Sequence, residues 1–148
     1  VFKSSLIPWN ILALYFGLLL GLSIVFLSFG FFISSAIKNQ EMGQGAAFLL
    51  WLTLLAFLDL ALIGFLMKHS VNENIIYFIA MANPIELFRI AAVSLFDPNL
   101  SVIGTASYFV LAKFGATAFA IYAVIYPLVL GAIFLCWGYF IFSQKDLV

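Results

Sequence analysis

Asp59 is a lone carboxylate about 14 residues into an apolar run that opens at Gly45. At 1.5 Å per residue that places it roughly 21 Å along a helix, somewhat past the middle of a bilayer-length segment. A charge at such depth costs about 2.5 to 3.5 kcal/mol on insertion scales, so these residues face a bundle interior or a wet cavity. Two accounts fit Asp59. It is a pathway residue or the partner of a polar group on another helix, or it is a carboxyl satisfied by a neighbouring Ser, Thr or amide in a structural role. Glu86 and Arg89 form a second candidate, spaced to pair across one helical turn. They are the wet face of an interfacial helix or part of a lid or docking surface.

Other chemistry lacks its residues. The phosphate-cradling pattern GxxxxGK[ST] does not occur. A single histidine, His69, a single cysteine, Cys136, and three scattered Met give no ligand cluster, so no metal or other cofactor is expected on this chain. A hydrolase would need a nucleophile with its base, or a held zinc, and neither assembles from Asp59 and His69. We therefore expect no enzymatic activity of the chain's own. Cys136, inside an apolar run, reads as a small buried hydrophobe.

Composition says what solvent must surround these residues. Of 148 residues 66% are hydrophobic and 8% charged, against about 25% charged in a soluble domain. Six basic and six acidic side chains cannot build a polar shell. Zero net charge leaves no basic field for nucleic acid. The chain opens Val1-Phe2-Lys3, without an initiator Met or a signal-peptide pattern, and reads as part of a longer polypeptide.

The predicted fold class is all-α, a transmembrane helix bundle of about three spans, at 9–37, 45–67 and 117–142, in a single domain. Each run is long enough for a hydrocarbon core of about 30 Å. Residues 38–44 form a short polar connection. Gly17 and Gly21 make a small-xxx-small step on the first span, continued by Ser28 and Ser35, and Gly131 and Gly138 offer small surfaces on the last. Pro127 predicts a bend there. Between the last two spans, about 74–114, lies an interfacial or re-entrant helical insertion. In it Asn83-Pro84-Ile85-Glu86 has the form of a helix start, with Asn as N-cap, Pro at the first position and Glu three after the cap. The helix should run to about Phe96 and stop at Asp97-Pro98. Ile85, Phe88, Ala92 and Leu95 fall on one stripe, with Glu86 and Arg89 away from it. Such a helix lies on the membrane or dips in and returns. Basic residues number more on the long connection's side, which by itself places that side in the cytoplasm.

These features resemble the C-terminal half of an ABC-2 type transporter permease. The resemblance rests on Ile33-Ser34-Ser35-Ala36-Ile37-Lys38 followed by a short polar turn, on the short helices before the last span, and on the ending Phe142-Ser143-Gln144-Lys145-Asp146-Leu147-Val148. The stretch Leu50 to Gly64 containing Asp59, together with Ala82-Asn83-Pro84-Ile85-Glu86-Leu87-Phe88-Arg89, is similar to the NosY-like members that serve maturation of the copper enzyme nitrous-oxide reductase. The resemblance implies a second permease copy, a separate cytoplasmic ATPase (NosF-like) that binds ATP and Mg, a periplasmic partner (NosD-like) and the bacterial inner membrane. It also implies that 38–44 and the carboxyl end are cytoplasmic, against the basic count. The same architecture would serve a general exporter of a lipid, drug or polymer, and a non-transporting anchor or assembly subunit is the reading from another class.

Overall fold

The computed structural model describes residues 9–57, 60, 64, 78, 81–96 and 115–145, and no strand occurs among them. Helix α1 spans Trp9–Ala36 and α2 spans Gln40–Leu52. A π-helical turn follows at Thr53–Phe57, then α3 at Pro84–Phe96 and α4 at Ala116–Ser143. The all-helical expectation holds for this part of the chain.

Helices α1 and α4 have 28 residues each, about 42 Å at 1.5 Å per residue. Both are long and apolar enough to cross a membrane, and they lie within a residue of 9–37 and 117–142. Only 22% of the most apolar window of each is buried, whereas the core helix of a soluble domain would be mostly covered. Leu20, Leu27, Ile133 and Phe140 all point outward, and Cys136, expected to be buried, is exposed on the outer face of α4. The reason is the same: on these helices an apolar residue type does not mark the inside.

The second expected span differs at its start. Asn39 has an extended backbone, and its Oδ1 accepts from the amides of Glu41 at 2.9 Å and Met42 at 3.3 Å. That N-cap starts α2 five residues before Gly45, with Glu41 on the positive end of the helix dipole. The connection shrinks to 37–39, and its polar residues become the first turn of a helix. Beyond the π-turn only Leu60 and Gly64 of this span are described, both helical. Asp59, His69, the stop at Asp97-Pro98 and the stretch from Leu100 to Phe114 lie outside the described residues.

Helices α1 and α4 pack side by side and parallel, since contact partners rise together along both. Gly21 meets Pro127, Ile24 and Ser28 meet Gly131, and Phe31 and Phe32 meet Gly138. The rings of Phe29 and Phe134 stand edge to face 4.6 Å apart. Leu18, Gly21, Val25, Ser28 and Ser35 are buried on α1, the three-and-four spacing of a helix seam. Helix α4 runs through Pro127 without a break. Near the N-terminal ends of both helices α3 packs between them. Leu87, Ile90 and Ala91 of α3 share a core with Leu18 of α1, Phe119 and Ala123 of α4, and Met81.

Candidate functional site

The polar chemistry of the described bundle gathers at the start of α3. Asn83 is buried, 1% exposed. Its Oδ1 accepts from the Ile85 amide at 3.0 Å, the N-cap its position predicts, and Pro84 supplies a first helical residue with no amide to satisfy. Its Nδ2 turns the other way and donates to the Leu54 carbonyl at 2.7 Å. One side chain therefore starts α3 and ties it to the π-turn after α2.

The residues before Asn83 are held from the opposite side. Tyr122 donates to the Met81 carbonyl at 3.2 Å and Tyr126 to the Ala82 carbonyl at 2.6 Å. The two phenol rings stack with centroids 5.3 Å apart. The Met81 carbonyl needs such a partner, because the amide four residues on belongs to Ile85 and is already given to Asn83.

Depth follows from helix geometry. Tyr126 is ten residues past Ala116 and Leu54 fourteen past Gln40, about 15 Å and 21 Å along helices that start from opposite ends of the bundle. Both place the tip of α3 well inside a 42 Å stack. Phe88, one turn further on, has its ring 6.1 Å from that of Tyr15, about 9 Å from the start of α1. Helix α3 thus begins deep and climbs outward.

That insertion corrects the assignment of its faces. The deepest side chains are Glu86, Leu87 and Ile90, with Ala91 and Ala92 also buried, while Ile85, Phe88 and Leu95 of the expected stripe are only partly covered. Packing against two helices covers more than one stripe. Glu86, expected on a wet face, is 2% exposed, and its Oε2 lies 2.6 Å from a guanidinium nitrogen of Arg89, whose side chain is 49% exposed. A carboxylate so covered needs its charge partner, and Arg89 carries that charge toward the outside.

The glycines separate into two kinds. A methyl group on Gly138 would fall 2.8 Å from Phe31 Cδ1 and 3.1 Å from Phe32 Cα. On Gly131 it would fall 3.0 Å from Ile24 Cγ2, and on Gly21 3.5 Å from Pro127 Cβ. Around Gly17 there is nothing within 4 Å, so it takes no part in the seam. Ser28, fully buried, returns its hydroxyl to the Ile24 carbonyl at 2.6 Å, which satisfies it without a neighbouring helix.

At the far end a recess of about 370 Å³ opens at the α1–α2 turn, with Ser34, Lys38, Gln40 and Gln44 in its lining. Among the described residues no three His, Cys, Asp or Glu side chains come together. Sequence reasoning named Asn83 only as a cap and missed Tyr122, Tyr126 and the π-turn. The available signal was a pair of tyrosines one turn apart within an apolar helix, since a covered phenol seeks a hydrogen-bond partner. Compared with known proteins, the chain matches no family model, no curated protein and no solved structure.

Proposed function

We propose that the chain belongs to a multi-pass membrane protein and, within that class, is a permease subunit of the ABC-2 type. The observation that supports the membrane reading best is the parallel pairing of α1 and α4. Two parallel helices that both cross a bilayer require an odd number of crossings between them. Helix α2 leaves the 37–39 turn where α1 ends and by Leu54 has reached the depth of Tyr126, and in this reading it is the second of three spans and supplies that crossing. Hydrocarbon is then the solvent for the outward Leu, Ile, Phe and Trp side chains.

The permease reading rests on the sequence resemblance and on the order helix, tight turn, helix, dipping helix, helix. Under it the α1–α2 turn and its polar recess face the cytoplasm, where a separate ATPase binds ATP and Mg, and α3 enters from the periplasmic side. A second permease copy and a periplasmic protein complete the assembly in the bacterial inner membrane. The NosY-like motifs make the cargo a sulfur or copper related species for nitrous-oxide reductase, with Asp59, Glu86 and Arg89 as candidates along its route.

Purification in mild detergent, with identification of co-purifying subunits, tests this. The expected result is an ATPase whose turnover changes on association. A stable complex without any nucleotide-hydrolysing member would overturn the permease reading in favour of an anchoring subunit. Normal copper content of nitrous-oxide reductase in a strain lacking the chain would leave a general exporter.

A further inference from the structure

The tip of α3 is fastened to its neighbours unequally. On one side, two tyrosine hydroxyls of α4 hold the carbonyls of Met81 and Ala82, and the apolar face of α3 is built into a core shared with α1 and α4. On the other side stands the bond from Asn83 Nδ2 to the Leu54 carbonyl, and α2 has no buried residue. The weaker join falls at a π-turn. Such a turn is wider than an α-turn, is rare, and often marks a functional site. Thr53 helps to set it up, since its hydroxyl donates to the Leu49 carbonyl at 2.7 Å and its amide is shared between the carbonyls of Leu49 and Leu50.

We propose that α1, α3 and α4 move as one body and that α2 swings against them, with the Asn83–Leu54 bond as the latch and the π-turn at Thr53–Phe57 as the hinge. In the latched state, seen here, Asn83 gives the Leu54 carbonyl a donor from outside its helix. On release the π-turn reverts to α geometry, in which a helical amide serves the Leu54 carbonyl that Asn83 leaves, so no acceptor is left bare. Losing the additional residue of a π-turn rotates one side of the helix against the other by about 100° and shifts it by about 1.5 Å. The tyrosine bonds persist, because at Met81 the helical donor is already committed to Asn83. This device goes beyond the transport reading and holds whatever the cargo is.

The test measures distances between spin labels in the whole protein, reconstituted in lipid and diluted with unlabelled copies, after Cys136→Ser and replacement of any cysteine outside these 148 residues. One label pair, at Phe48 and Ile133, reports α2 against α4. A control pair, at Leu27 and Ile133, reports α1 against α4. All three positions are exposed. Asn83→Ser keeps an oxygen to cap the Ile85 amide but is too short to reach Leu54. It should raise the ratio of a second, separated α2–α4 distance about 5-fold, the effect of one lost hydrogen bond, while the α1–α4 distance stays single. Thr53→Ala removes the hydroxyl from Leu49 with Asn83 intact and should populate the same second distance. Unchanged α2–α4 distances in both variants would overturn the proposal, as would equal changes in both label pairs.

Discussion

The seam between α1 and α4 and the join between α2 and α3 hold helices together by opposite means. Along the seam there is close approach of backbones at Gly131 and Gly138, flanked by the rings of Phe29, Phe32, Phe134 and Trp137. At the join, among the described residues, a side-chain amide reaches one carbonyl. Under the membrane reading proposed above, neither can draw on the hydrophobic effect, so the seam relies on dispersion summed over many atoms and the join on satisfying polar groups. The seam should therefore be sensitive to added volume and the join to a lost donor.

The largest effect is expected where the seam is tightest. Gly138→Ala brings its methyl group against Phe31, which can turn, and against the Cα of Phe32, which cannot. Overpacking of this kind should cost about 2–3 kcal/mol, read as a lowered unfolding midpoint in detergent titrations. The same change at Gly21, where the methyl would find ordinary contact distances, should be nearly silent. Equal losses at both positions would mean that the seam does not tighten toward the carboxyl ends.

Next comes the join. Asn83→Ala removes the cap of α3 and the donor for Leu54 together, a loss of about 2 kcal/mol from an N-cap and one hydrogen bond. Tyr126→Phe removes one hydroxyl, keeps the stacked ring, and should cost about 1 kcal/mol. Hydrogen exchange separates them. Asn83→Ala should speed exchange of amides in both α3 and the π-turn, whereas Tyr126→Phe should act at Met81 to Asn83 and leave the π-turn alone.

The long helices were legible because polar residues bracket unbroken apolar runs, and α3 was legible because Asn-Pro-x-Glu is a helix start with a mechanism. What failed to show was direction. Apolar residues cover both faces of this helix, so Ile85, Phe88 and Leu95 of the expected stripe looked no different from the buried face at Leu87, Ile90, Ala91 and Ala92. Glu86 misled for the converse reason. A carboxylate reads as wet until a neighbour such as Arg89 makes its burial tolerable. The start of α2 was hidden because Gln40, Glu41 and Gln44 read as loop, although Asn39 ahead of them is a good cap. The π-turn leaves no periodic trace in the sequence at all.

The smallest effect is also the sharpest check on the seam's extent. Gly17 and Gly21 form one small-xxx-small step in the sequence, yet only Gly21 is covered by α4. The helices part toward their N-terminal ends, where α3 lies between them, and the seam ends before it reaches Gly17. A methyl group at Gly17 meets nothing within 4 Å and removes backbone freedom that glycine gives up on folding, a difference of about 0.5–1 kcal/mol in a helix interior. Gly17→Ala should therefore leave the unfolding midpoint unchanged or raise it slightly, opposite in sign to Gly138→Ala. A fall at Gly17 comparable to that at Gly138 would mean that the helices also close on each other at that end, with no room for α3 between them.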